Sequence, residues 1–236
     1  MKKYILLFAL FCSVNLFSQN ITIKGKINAQ KTSDSKQQIV RLITYNDMLT
    51  CEQTTVYETK SDDNSSFVIK TNIDKITLAQ IAVNLERVDI LLKPNSNYEI
   101  EIIIPQQENN ISYFEHQAPT LKMIKADDDE LYYQYFMSET IINDFIYDNF
   151  NQLYRGRKMS LLDSLDAEVN RKLGVLKTDF VKNNLRYRKA ALQMIVNNDN
   201  AKKVTNQYFS HQNILYSQPA YMNLFQEIFA NYLSSI

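Results

Sequence analysis

Thiol and imidazole chemistry in this 236-residue chain rests on four side chains: Cys12, Cys51, His116 and His211. Neither histidine stands at metal-ligand spacing from the other or from Cys51, so both are expected to be connector or packing residues. Cys51 lies within the Thr-, Val- and Tyr-rich stretch Thr50–Lys60 and is expected to be a small buried hydrophobe rather than a nucleophile. There is no GxSxG elbow to present an activated serine. The three glycines, Gly25, Gly156 and Gly174, are far apart. A phosphate-cradling loop needs several close together so that backbone can approach the anion.

Carboxylates offer two clusters. Asp62 and Asp63 sit in the turn Ser61–Ser65, where aspartate has a local structural use. Asp127-Asp128-Asp129-Glu130 looks like a cation site but lacks the spacing and the glycine of a calcium loop. An Asp followed three residues later by Glu makes a capping box, and negative charge favours a helix N-terminus, so a helix start is expected here. Arg155-Gly156-Arg157-Lys158 is read as a solvated helix end rather than an anion site. A glycosidase-type carboxylate pair is assembled by the fold, and no spacing in the chain singles one out. No residue is assigned a catalytic, cofactor-binding or metal-ligating role, no cofactor is implied, and no enzymatic activity is expected.

These residues must be positioned by two kinds of element. Leu131 to Tyr154 has helical periodicity, with Leu131, Tyr135, Ile142, Phe145, Ile146, Phe150 and Leu153 on one side. Glu139, Asn143 and Asn149 interrupt that stripe. Before it, Ile21 to Ile104 alternates with period two in several places, as half-buried strands do. Strands are expected at Ile21–Ile27, Val40–Thr44, Thr50–Lys60, Ser66–Lys70, Thr77–Val83, Arg87–Lys93 and Asn97–Ile104. The polar run Lys31–Gln38 and the turns at Ser61–Ser65 and Pro94–Asn97 divide them. Gln106–Thr120 reads as a connector. After the central helix, Ser160 with Asp163 is expected to cap a helix with the stripe Leu162, Leu165, Val169, Leu173, Leu176 and Phe180, weakened or bent at Gly174. Further helices are expected at Leu185–Val196, Lys202–Phe209 and from Pro219. The fold class is therefore α+β: an N-terminal antiparallel β-sandwich over 19–106, followed by an all-helical region over 107–236.

Met1 to Ser18 has the form of a secretory signal peptide: Lys2 and Lys3, an apolar core from Tyr4 to Phe17, and a polar boundary at Ser18-Gln19-Asn20. Cleavage is expected after Ser18, with the chain exported to the periplasm or cell envelope. Lipid attachment at Cys12 is the weaker alternative, because bulky Phe11 precedes it. Removal of 1–18 takes Lys2 and Lys3 from the 26 basic residues, leaving 24 against 26 acidic, a formal net charge of −2. That balance does not predict nucleic acid or an anionic membrane as a partner. It also leaves Cys51 alone, unable to form a disulfide or a two-cysteine redox cycle within the chain. No later run is long and apolar enough to span a bilayer. The last helix carries Tyr221, Leu224, Phe225, Ile228, Tyr232 and Leu233 along one face, which is expected to complete the core of the helical region; the alternative is that part of it is left uncovered for a protein partner or self-association.

Three stretches of the β-region carry a family resemblance: Ile23-Lys24-Gly25-Lys26-Ile27, Asp63-Asn64-Ser65-Ser66-Phe67-Val68-Ile69, and Ile90-Leu91-Leu92-Lys93-Pro94-Asn95 leading to Tyr98-Glu99-Ile100. They resemble the N-terminal domain of unknown function that precedes the catalytic part of exported TlpA-type thioredoxin-like proteins. Tyr208-Phe209, Ile214-Leu215-Tyr216 and Pro219-Ala220-Tyr221 are similar to the helical segment that follows it. Family members often have glycine where this chain has Ser65 and Asn95, and the thioredoxin domain with its CxxC has no counterpart in the chain. The resemblance implies a non-catalytic, exported accessory module beside redox chemistry. The alternative is a periplasmic or surface protein that binds a glycan, peptide or lipid at the β–helix junction.

Overall fold

The computed structural model describes residues 20–29, 37–105, 117–197 and 201–233, with the side chains of 201 and 230–233 left out. The signal-like segment, Cys12, His116 and the side chains of Tyr232 and Leu233 therefore lie outside the described residues.

Two four-stranded sheets form the N-terminal half. The first has the order β4 (Ser66–Thr71), β1 (Ile21–Ala29), β7 (Ser96–Ile104), β8 (Thr120–Ala126). The second has the order β3 (Gln53–Lys60), β2 (Ile39–Tyr45), β5 (Thr77–Val83), β6 (Glu86–Leu92). Alternation fixes which face turns inward. Ile21, Ile23 and Ile27 from β1 meet Tyr98, Ile100 and Ile102 from β7, and across the sandwich Val40, Leu42, Ala79, Ile81, Ile90 and Leu92 complete one apolar core. Gly25 takes the inward position between Ile23 and Ile27 because the Phe67 ring fills that space. A Cβ at Gly25 would lie 2.1 Å from the Phe67 ring.

Two features of the sandwich depart from the expected one. β1 pairs with β4 antiparallel but with β7 parallel, in the register Ile23↔Tyr98. The sandwich is thus mostly, not wholly, antiparallel. In addition, β8 lies past residue 106, within the region expected to be helical, and pairs antiparallel with β7. Its residues Lys122 and Lys125 face solvent, which suits an edge strand.

Among the described residues five helices follow: α1 (Asp129–Tyr154), α2 (Ser160–Leu173), α3 (Asp179–Asn197), α4 (Ala201–Tyr208) and α5 (Pro219–Leu233). The expected run of α2 through Leu176 to Phe180 ends instead at Leu173. Gly174 caps it with φ +61°, a geometry natural to glycine. Ser160 does not cap α2: Met159 stands at that position, without a side-chain cap bond. α1 is interrupted at Asn149 (φ −110°, ψ 15°), whose amide nitrogen donates to the Phe145 carbonyl at 3.0 Å. Beyond that break Leu153 is fully buried while Phe150, expected inside, is half exposed and stacks on Tyr154.

The helices pack on part of the outer face of the second sheet, around Tyr45, Leu78 and Leu91, and leave β3 exposed. Leu91 joins Leu131, Tyr135 and Val181 in one cluster, with Leu78 packed against it. Met48 joins Tyr187, Tyr221, Met222, Leu224 and Ile228 in another, with Tyr45 against it. The Met48 amide donates to the Tyr216 carbonyl at 2.9 Å, and Gln226 donates to the Leu49 carbonyl at 2.6 Å. Of the two readings of the α5 face, the described side chains fit the one in which it completes the core. Tyr221, Leu224 and Ile228 are buried in the chain's own core, with Phe225 and Phe229 packed against it. Among the described residues no helix is long and apolar enough to cross a membrane.

Candidate functional site

Polar side chains concentrate at the corner where the sandwich passes into α1. Each member of the acidic run has a separate partner. Asp127 accepts from the Asn97 backbone at 2.8 Å and from its side-chain amide at 2.9 Å. Asp128 is the N-cap of α1, accepting from the Leu131 amide at 3.0 Å and from the Lys93 ammonium at 2.8 Å. Asp129 accepts from the Ala126 amide at 2.7 Å, and Glu130 pairs with Lys177. The helix start expected from sequence is therefore present. The cap is Asp128 rather than Asp127, and Glu130 bonds forward to Lys177 instead of closing a capping box.

The β6–β7 turn belongs to the same corner. The Lys93 amide donates to the Tyr98 hydroxyl at 2.7 Å, so Tyr98 holds the Pro94–Asn95 turn from inside the sandwich. Burial raises the Tyr98 phenol, with the Lys93 bond opposing it. The Lys93 side-chain bond holds the Asp128 carboxyl below its ordinary value, against the effect of partial burial, with the Leu131 bond adding to the lowering. Asp127 is lowered first by the Asn97 backbone bond and then by the side-chain bond. Carboxylates held ionised in this way are fixed acceptors, unsuited to delivering protons near neutrality.

A second polar group lies inside the helical layer, built from residues that interrupt the α1 stripe. Asn184, buried on α3, donates to Glu139 at 2.6 Å and accepts from buried Gln218 at 3.3 Å. Arg188 places Nε 3.5 Å from Glu139 and donates through its guanidinium to Asn143 at 2.6 Å. Sequence reasoning read Glu139 and Asn143 as blemishes and did not find this group. The signal available was that both recur at four-residue spacing on the side of α1 that meets α3. The arrangement fixes the register of α1 against α3 and against the start of α5. Nearby, burial pushes the Tyr132 phenol up to about 12 and raises Tyr135 further. Neither is a base at neutral pH.

The remaining sequence candidates are scattered. Cys51 is exposed, not buried as expected, in a turn with φ +54°, its sulfur 3.5 Å from the Met48 carbonyl. The turn outside β3 takes it away from the core. His211 is exposed after α4, also with positive φ. Asp62 accepts from the Asn64 and Ser66 amides at 2.9 and 2.7 Å and so builds the turn, as expected. Arg155 ends α1, with its amide and that of Gly156 both donating to the Asn151 carbonyl. Among the described residues no three His, Cys, Asp or Glu side chains converge as metal ligands would. The outer face of the first sheet forms a shallow hollow of about 470 Å³. There Lys24 stands opposite Glu99 and Lys26 opposite Glu101. Alternating opposite charges of this kind describe a solvated sheet face.

No protein-family model matches the chain, and no curated protein matches it. Among solved structures it is similar to a candidate cell adhesion protein from Bacteroides ovatus ATCC 8483, with 13% identity and a TM-score of 0.24. The match covers 44% of this chain and 43% of that one, so the chain spans less than half of that protein's length. A likeness at this level carries no argument about function.

Proposed function

We infer that the chain is an exported, non-catalytic accessory module that resembles the front portion of a TlpA-type thioredoxin-like envelope protein. One observation carries this reading. The three stretches behind the resemblance are far apart in sequence, yet parts of all three lie side by side in the first sheet. Ile23 is opposite Ile69 on β4 and opposite Tyr98 on β7. The two turns where that family often has glycine are also left-handed here, with φ +59° at Ser65 and +60° at Asn95. The adjacency of the three stretches, and a backbone at both turn positions that glycine adopts most readily, support the resemblance more than composition does.

The module acts by presenting surface, and its lone Cys51 has no redox role. Two measurements test this. Purified mature protein is expected to leave insulin unreduced, with Cys51→Ser indistinguishable from the parent. Insulin reduction that disappears in Cys51→Ser would overturn the reading. N-terminal sequencing of the envelope fraction is expected to begin at Gln19. An intact Met1 terminus recovered from the cytoplasmic pool would remove the exported role.

A further inference from the structure

A cleft of about 220 Å³ opens between α2 and α3, over the core formed where both helices meet α1. Its floor is Ile142, Leu165, Val169, Leu176 and Leu185. Its α3 wall carries Lys182, Arg186 and Lys189, placed at i, i+4 and i+7 and so on one side of that helix. Facing them on α2 are Asp166 and Asn170. Lys189 is engaged by Asp166. Lys182 reaches Asp179, one turn back on the same helix, at 3.2 Å, and that carboxylate is largely exposed. The Arg186 guanidinium lies 5.4 Å and 5.7 Å from the ring centroids of Tyr187 and Tyr208, which orient it without cancelling its charge.

We propose that this cleft binds a small anionic amphiphile, a carboxylate on a short hydrocarbon tail. The occupant follows from the lining. An apolar floor accepts a tail, and three cations against the carboxylates of Asp166 and Asp179 leave the cleft one positive charge in excess to accept an anionic head. Size sets the tail. At about 30 Å³ per water, the cleft has the volume of about seven waters, which is room for a tail of about seven carbons rather than a full membrane lipid. The exposed Asp179 pair is weak and yields to a ligand carboxylate at little cost. This inference rests on the helical layer alone and is independent of the accessory-module reading.

The test uses the full mature chain with labelled methyl groups and sodium octanoate as the probe. Saturable shifts are expected at Ile142, Leu165, Val169 and Leu185. Octanamide and heptyltrimethylammonium, with the same seven-carbon tail but a neutral or cationic head, are expected to bind about tenfold more weakly or not at all. The double variant Lys182→Glu/Arg186→Glu, at two exposed positions, is expected to weaken octanoate about tenfold. Val169→Trp should abolish the shifts by filling the floor. Octanoate shifts that never saturate, or equal affinity for all three head groups, would overturn the proposal. The head-group comparison uses unaltered protein, so it decides the matter even if a variant folds poorly.

Discussion

Ser65 and Asn95 hold φ near +60°, in turns that lead into β4 and β7. For an L-residue with a Cβ this conformation costs about 1–2 kcal/mol, less for asparagine, whose side chain tolerates it. Glycine removes that cost but adds freedom to the unfolded chain, which takes back about 0.4–1 kcal/mol. Ser65→Gly is therefore expected to stabilise the protein by about 0.5–1 kcal/mol, and Asn95→Gly by less. Urea midpoints at constant slope would measure both. A loss of stability in Ser65→Gly would mean that the serine side chain has a role in the turn that its backbone geometry does not reveal. Sequence alone marked both positions as turns. Asparagine's tolerance of left-handed geometry was legible at Asn95, but the sign of φ at Ser65 was not, since it accompanies the gathering of the Asn64 and Ser66 amides by the Asp62 carboxylate.

At the scale of elements, α1 is tied to the sandwich through Asp128, which caps the helix and meets Lys93 at the end of β6. Its carboxyl is held below the ordinary 3.8, chiefly by the Lys93 bond. A carboxyl with a depressed folded pKa adds stability above its unfolded value and loses it as pH falls through the folded one. Asp128→Asn keeps an acceptor for the Leu131 amide but removes the titrating charge. The melting temperature of the parent is thus expected to exceed that of Asp128→Asn at about pH 5 and above, with the gap closing as pH drops below 3.8. Asp127 titrates in both proteins and does not contribute to the difference. A gap that stays constant from neutral pH to acid would show that the Lys93–Asp128 charge pair adds nothing.

Which elements were legible in the sequence follows from the same physics. Strong alternation in Ile21–Ile27 and Tyr98–Ile104 announced strands because one side of each is buried. β8 was missed because its alternation is short: Leu121 and Met123 turn to the core, but the register shifts after Met123 and leaves Ile124 exposed. The parallel β1–β7 pairing could not be read, since direction depends on the path of the chain and not on alternation. The outward turn of Phe150 was hidden because a periodicity argument assumes an unbroken helix, and Asn149 breaks it. The Glu139–Asn184–Arg188 group was hidden because its members come from different helices and acquire meaning only when packed.

At the scale of the whole molecule the second sheet is the middle layer, with the first sheet on one side and the helices over the Tyr45, Leu78 and Leu91 part of the other. Leu91 shows what that position entails. Its neighbours Ile90 and Leu92 point into the sandwich core, while Leu91 points outward and is buried against Leu131, Tyr135 and Val181. The C-terminal end of β6 is thus apolar on both faces, as expected where a strand is covered on both sides, while Arg87 and Asp89 leave the rest of its outer face exposed. A middle layer of this kind couples the two halves, because neither can leave without exposing the apolar surface of β5 and β6. Leu91→Ala is expected to cost about 2–5 kcal/mol through the lost side chain and the cavity it leaves. The coupled architecture further requires the loss to be shared. Native-state hydrogen exchange should show the most protected amides of β1, β5, α3 and the Leu224–Ile228 part of α5 all falling by the same free energy. Protection lost in α1 and α3 but retained in β1 would mean that the helices open as a separate unit, and that the β–helix contact contributes little to the stability of the sandwich.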